Sequence, residues 1–290
     1  MNHEYISSDD ELLPIIERWK SKDRIAVDFE GEFNLHVYGE HLCLIQVFDG
    51  EYFSIIDPRS KRITKAGLEA FFSLETEKVW FECQSDASLV YKQYGLTINN
   101  IYDIRVLAKL LGSNGNLISL EKEYLGLDIE INKKKNQQAN WLKRPLDPEL
   151  IEYALLDVAH LMELKDVLLP LIVERGLEKQ AKSAMKHALT LKKPDDPWKH
   201  VVNWKMLTPK ERIYVRNLFL ARDGIARRFN VPAYYVMDKR RIGELAEYPP
   251  KDRDMLKVRI SCEPKRFMSF LEPALWNAVE KSKAEIISLK

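Results

Sequence analysis

The stretch Arg24–Phe33, RIAVDFEGEF, is an apolar run ending in acids at alternate positions, Asp28, Glu30 and Glu32. In a strand, residues i and i+2 share a face, so Asp28 and Glu30 point the same way. Carboxylates that close, within about 7 Å, disfavour each other's ionisation, and a divalent cation between them removes that cost. Oxygen donors of this kind select Mg²⁺ or Mn²⁺ over zinc. Taken alone, the pair also fits a solvent-facing acidic strand end. In VWFECQSDASLVYKQYG, an apolar strand gives way to a polar turn and Asp86 opens a helix, where an aspartate is most often an N-cap. Asp103, in IYDI, stands at another strand end. In EYALLDVAHL, Tyr153 and Asp157 are four apart and lie on one helical face among Ala154, Leu155, Leu156 and Val158. An aspartate in such surroundings is costly to bury unless something pairs with it. An exposed aspartate beside a packed tyrosine is the ordinary alternative.

The elements that must position these groups follow from periodicity. Residues 9–20, DDELLPIIERWK, predict an amphipathic helix. RIAVDFE, LCLIQVFDG and EYFSIIDP predict a three-stranded meander, with Asp49-Gly50 as the turn between the last two. AGLEAFFSL is a helix, KVWFEC a fourth strand, DASLVYKQYG a helix stopped by Gly95, and NNIYDI a fifth strand running into the helix RVLAKLLG. Three strands followed by alternating helix and strand make an α/β domain with a mixed sheet and helices on its faces. Residues 113–145 are polar and basic around Trp141 and read as a solvated loop. Asp147-Pro148 then starts one long helix, PELIEYALLDVAHLMELKDVLL, with Asp147 as N-cap.

LKKPDDPW, at 191–198, has two prolines, four charges and no apolar period, and reads as a linker. It separates an expected domain over 1–190 from one over 199–290. The latter contains helices only, beginning at Thr208 as N-cap with Pro209 behind it. The 290 residues, 46% of them apolar, are ample for two domains. The net charge of +1 hides an asymmetry. From Asp195 onward there are 20 Lys or Arg against 13 Asp or Glu, and before it 25 against 31. An acidic front suits metal ligands, and a basic tail suits a polyanionic partner. Cys43, Cys83 and Cys262 have no metal-ligand spacing, which argues against a disulfide framework and for a reducing compartment. The acidic start MNHEYISSDDELL is unlike a signal peptide, and no apolar run has bilayer length. A cytoplasmic protein without a membrane partner is the expectation.

The order of the three acidic motifs resembles the exonuclease motifs of the DEDD superfamily, in its tyrosine branch, and in particular ribonuclease D and its relatives. LIQVFDGEYFSIIDP, DASLVYKQYGL with IYDIRVLAKLL, and NWLKRPLDPELIEYALLDV extend the likeness over about residues 5–185. The stretch from Asp196 to Pro250 is similar to the helical HRDC domain. The resemblance implies a ribonuclease H-like mixed five-stranded sheet with flanking helices, followed by a small all-α HRDC bundle. It implies that Asp28, Glu30, Asp86 and Asp157 bind two divalent metals, Mg²⁺ or Mn²⁺, and that Tyr153 orients the attacking water. A histidine branch would carry His where Glu152 stands. Glu32 has no counterpart in the motif. Two positions depart from the family pattern: Phe81 replaces a histidine ahead of the second motif, and Asn140-Trp141 replaces an Asp-Trp pair.

The implied activity is 3′→5′ hydrolysis of RNA with a free 3′ end, releasing nucleoside 5′-monophosphates, with tRNA precursors among the candidate substrates. Arg227, Arg228, Lys239, Arg240 and Arg241 are the expected contacts to nucleic-acid phosphates in the basic tail, with a solvated basic face as the plain alternative. A 3′→5′ exonuclease acting on single-stranded DNA, and a catalytically idle nucleic-acid-binding scaffold, are the competing readings.

Overall fold

Six strands build the first sheet: β1 (His3–Ile6), β2 (Arg24–Phe33), β3 (Glu40–Phe48), β4 (Phe53–Ile56), β5 (Glu77–Trp80) and β6 (Ile101–Asp103). Their order is β1-β4-β3-β2-β5-β6. A computed structural model describes residues 1–128, 138–191 and 196–288. They form two units, one of Met1–Glu32 with Glu40–Lys192, the other of Phe33–Gly39 with Lys193–Lys290. The sheet is mixed. β2, β5 and β6 are parallel neighbours, with Ala26 opposite Val79 and Trp80 opposite Asp103. β3 and β4 are antiparallel, with Ile45 opposite Ile56. Five strands are those the sequence predicts. The sixth, β1, is four residues of polar character, too short to give a pattern of its own. Parallel pairing with β4, from His3 opposite Phe53 to Ile6 opposite Ile56, holds it in place.

Alternate residues of β2 enter two different cores, as a pleated strand requires. Ile25, Val27 and Phe29 join Leu12, Ile16 and Trp19 of α1 (Asp9–Lys20) and Phe71 and Phe72 of α2 (Lys65–Phe72). Ala26, on the opposite face, joins Val79, Leu107, Val158, Leu161, Leu164 and Leu168. Each fully buried side chain of this size is worth about 1.5–3 kcal/mol, so both faces of β2 are held firmly. The remaining helices are α3 (Gln84–Tyr94), α4 (Ile104–Leu110), α5 (Leu117–Leu120), α6 (Pro148–Ala159), α7 (Leu161–Glu174) and α8 (Glu178–Ala188). Gly95 closes α3 at φ 68°, a conformation that costs glycine little.

Two expectations need correction. The single helix predicted from Pro148 breaks at His160, whose φ of −116° ends α6 before α7 begins. Both sides bury leucines against the sheet, so the apolar period runs across the break and conceals it. Residues 113–145 are not simply a solvated loop. They contain α5 and a π-helical turn, Glu121–Leu125, and Trp141 is buried. Residues 129–137 of that stretch, and 192–195 of the expected linker, lie outside the described residues.

In the second unit, residues 196–288 contain helices and turns and no strand. Its helices are α9 (Pro209–Phe229), α10 (Ala233–Val236), α11 (Lys239–Glu247), α12 (Arg253–Arg259) and α13 (Lys265–Ser288). Thr208 caps α9 as expected: its hydroxyl accepts from Glu211 N, and the Glu211 carboxylate accepts from Thr208 N in return. Val215, Leu218, Ile242, Leu256, Leu271, Leu275 and Val279 form the core. Among the described residues no helix is long and apolar enough to cross a membrane.

Candidate active site

Asp28 and Glu30 lie on the face of β2 that Ala26 presents to Val158 and Leu161. That register brings them to α6, where Asp157 projects one turn beyond Tyr153. Asp28, Glu30 and Asp157 are half-buried, and each offers a carboxylate oxygen within 4.8 Å of the others'. Burial pushes the Asp28 carboxyl well above its usual range, and the charges of Asp157, Asp86 and Glu30 push it further. Three hard oxygen donors this close are costly as bare anions and suit Mg²⁺ or Mn²⁺. Glu32 stands outside the trio and is buried rather than solvent-facing.

Asp86 is not an N-cap. Cys83 takes that position without a side-chain bond, and Asp86 sits inside the first turn of α3. Its carboxylate accepts instead from the Trp80 indole N–H at 3.2 Å. Burial raises its pKa to about 7; the Trp80 bond opposes this and the charges of Asp103 and Glu82 add to it. It lies outside the trio of oxygens, yet near enough for its charge to raise Asp28. The turn that presents it is held by Asp103, which sequence reading leaves ambiguous. The buried Asp103 carboxylate accepts from the backbone N–H of Glu82 at 2.9 Å, of Cys83 at 3.2 Å and of Arg105 at 2.9 Å. Glu82 takes φ 63°, a strained conformation for a residue with a Cβ. Asp103 thus fixes the turn and caps α4 at once.

Tyr153 is buried and hydrogen-bonded to Asp157. Burial and the charges of Asp157 and Glu30 raise its pKa, so the phenol keeps its proton. Its ring lies 6.3 Å from that of Trp141 at an interplanar angle of 33°. The start of α6 is secured from both sides. Asp147 accepts from Glu149 N at 3.0 Å, with Pro148 in the first turn. Just upstream, Arg144 forks onto Asp57 through Nε at 2.7 Å and Nη2 at 2.8 Å, and donates to the carbonyls of Cys43 and Trp141. Burial alone would raise Asp57, but Arg144 and the Tyr5 hydroxyl hold it below the usual carboxylate value. Trp80 and Arg144 are therefore supports that sequence reasoning does not pick out, and Asp103 and Trp141 are ones it names without a role. Of the two departures, Phe81 lies beneath the Arg105 guanidinium at 5.5 Å. Asn140 closes a turn by accepting from Leu142 N at 3.1 Å.

The five predicted basic contacts differ in how free they are. Arg227 is ion-paired with Asp223, Arg240 with Asp238, and Arg241 with Glu244 and Glu263. Arg228 lies over the Phe270 ring at 4.5 Å. Lys239 has no ion pair among the described residues.

The profile of the 3′-5′ exonuclease family matches residues 3–172, and that of the HRDC domain matches residues 214–261. Ribonuclease D of Xanthomonas oryzae is 28% identical over 260 residues, covering 88% of this chain and 71% of its own. Ribonuclease D of Escherichia coli is 26% identical, covering 86% of this chain and 67% of its own. The crystal structure of E. coli RNase D, described as an exoribonuclease involved in structured RNA processing, superposes with a TM-score of 0.78 at 24% identity. It covers 98% of this chain and 76% of that one, so the fold is shared. The chain spans roughly two thirds of the length of such relatives, from 64% to 71%.

Proposed function

Because this chain belongs to the 3′-5′ exonuclease family and carries an HRDC domain behind the nuclease domain, we propose that it is a metal-dependent 3′→5′ exoribonuclease of the ribonuclease D type. It removes nucleoside 5′-monophosphates from RNA ends, tRNA precursors among them. The observation that carries this reading is the meeting of Asp28, Glu30 and Asp157 oxygens within 4.8 Å, beside Asp86 and Tyr153.

Asp28, Glu30, Asp86 and Asp157 would hold two divalent cations, Mg²⁺ or Mn²⁺. When bound, such ions supply Lewis-acid activation of water and stabilisation of the leaving oxygen. The chain's own residues do the rest. The four carboxylates must all be ionised, so the raised pKa values of Asp28 and Asp86 make cation binding release protons. Tyr153 donates a hydrogen bond to Asp157, keeping its proton, and leaves its oxygen lone pairs to accept from the attacking water. In the hydrolysis, the water oxygen bonds to phosphorus and loses a proton. The P–O3′ bond breaks, the 3′ oxygen takes up a proton on the shortened strand, and the last nucleotide leaves as its 5′-monophosphate. The second unit would hold the rest of the strand by its phosphates, with affinity that falls as salt rises.

Incubation with 3′-labelled single-stranded RNA and DNA, in Mg²⁺ or Mn²⁺, tests the reading against Asp157→Asn. Stepwise release of mononucleotides from RNA, absent in the variant, is expected. Preferential hydrolysis of DNA would move the substrate to the other polymer, and hydrolysis of neither would leave a binding scaffold.

A further inference from the structure

Arg144 and Arg222 are both withdrawn from water to a large extent, and they are treated differently. Arg144 has Asp57 in a two-bonded fork. Arg222, on α9, is 6% exposed and has no carboxylate partner among the described residues. Its one hydrogen bond is long, from Nη1 to the Met237 carbonyl at 3.4 Å. Its Nε is buried without an acceptor. The Phe219 ring, 5.1 Å from the guanidinium, offsets only part of the cost of that charge. The charges of Asp223 and Asp238 favour the Arg222 cation from a distance, but neither carboxylate bonds to it and burial outweighs them, so the guanidinium is suited to an anion arriving from outside.

Arg222 lines a cavity of about 390 Å³ in the second unit, together with Phe219, Tyr234, Asp238, Lys239 and Arg240. That volume is many times the roughly 30 Å³ of a water molecule. Asp238 is already spent: its oxygens accept from the backbone N–H, Nε and Nη2 of Arg240. The Asp238–Arg240 pair is neutral as a unit. The charge left to the cavity is that of Arg222 and of Lys239, which has no hydrogen bond or ion pair among the described residues. Tyr234, 53% exposed, adds an aromatic face at the rim.

We propose that this cavity is a phosphate-binding pocket that takes one backbone phosphate of the RNA strand between Arg222 and Lys239. The proposal rests on the reading of the chain as an enzyme acting on RNA. It moves the anchor of the second unit away from the exposed arginines, most of which have intramolecular partners, to a recessed guanidinium that lacks one. A guanidinium fixed by packing loses little freedom on binding and matches two phosphate oxygens.

The test measures binding of a fluorescein-labelled oligouridylate by anisotropy, in EDTA, across a salt series. Arg222→Gln and Lys239→Gln should each weaken binding roughly fivefold or more and flatten the slope of log K against log salt by about 0.7. Lys257→Gln, in an ion pair with Asp254 on α12, should behave as wild type. Circular dichroism reports whether Arg222→Gln folds; Lys239 is exposed, so its variant carries the test if the other does not. Wild-type affinity and salt slope in the folded variants would overturn the proposal. Inorganic phosphate forms a second arm. If it raises the Tm of wild type and not of Lys239→Gln, while RNA affinity is unchanged by the substitution, the pocket serves free phosphate and the assignment to the strand fails. Adding Mn²⁺ to the same samples separates the two claims. Binding without hydrolysis by wild type would sink the exonuclease reading and leave the pocket; hydrolysis with variant-insensitive binding would sink the pocket alone.

Discussion

The indole N–H of Trp80 reaches Asp86 at 3.2 Å, and the same ring meets Phe29 edge-on with centroids 4.5 Å apart. Phe29 lies between Asp28 and Glu30 in the chain and points to the opposite core. One tryptophan at the end of β5 therefore links the strand that carries two carboxylates to the helix that carries a third.

Trp80→Phe keeps the aromatic contact and removes the donor. The variant should lose about 1 kcal/mol of stability and bind Mn²⁺ roughly tenfold more weakly, since the orientation of Asp86 is no longer fixed. A Mn²⁺ titration of exonuclease activity checks this. Unchanged metal dependence would mean that Trp80 is only a core residue.

Asp28→Asn removes one charge from a half-buried acidic cluster. Exonuclease activity should fall by roughly three orders of magnitude. The Tm of the metal-free protein should nevertheless rise, by about 2 °C or more, because burial and repulsion both penalise the charged Asp28. Mg²⁺ or Mn²⁺ should then raise the Tm of wild type more than that of the variant. Equal metal-induced shifts by scanning calorimetry would place the ions elsewhere.

The same cluster sets a pH dependence. The Asp86 pKa stands at about 7 against an ordinary 3.8, and Asp28 shifts the same way. Between these values the folded metal-free protein binds more protons than the unfolded chain, so its stability falls as pH rises from about 4 to about 7. Saturating Mn²⁺ should abolish that fall, and the apparent affinity for Mn²⁺ should climb over the same window. Urea midpoints at several pH values, with and without Mn²⁺, measure both. A metal-free stability that rises across this window contradicts the assignment.

Arg144→Lys preserves the charge and loses the fork onto Asp57, which is nearly buried. Destabilisation of about 3 kcal/mol is expected from a carboxylate left without its bidentate partner. Activity should decline further than folded fraction explains, because Arg144 also ties the segment before α6 to the Cys43 carbonyl. Urea denaturation alongside a turnover assay separates the two losses.

What could be read in the amino-acid order is what local spacing determines. The i, i+2 acids of β2, the i, i+4 pair Tyr153 and Asp157, and the caps Asp147, Thr208 and Gly95 are relations within a few residues, and each stands where spacing places it. The misplaced features depend on partners far along the chain. Arg144 meets Asp57 across 87 residues, and β1 exists only because β4 is there to pair with it. Asp86 looks like a cap from its position and acts as an acceptor for Trp80, six residues earlier across a turn that only a positive φ at Glu82 allows. Nothing in the spacing of α9 singles out Arg222. Its burial without a bonded carboxylate appears only when the packing around α9 is known.

The carboxylate trio is drawn from both ends of the first unit's sequence, Asp28 and Glu30 from its second strand and Asp157 from its sixth helix. No short segment can assemble it, so a cation site forms only after long-range contacts between β2 and α6 have closed. During refolding, catalytic competence should be the last property to return, later than helical signal or burial of the tryptophans. A nascent chain still short of α6 has no cluster with which to cut the RNA around it.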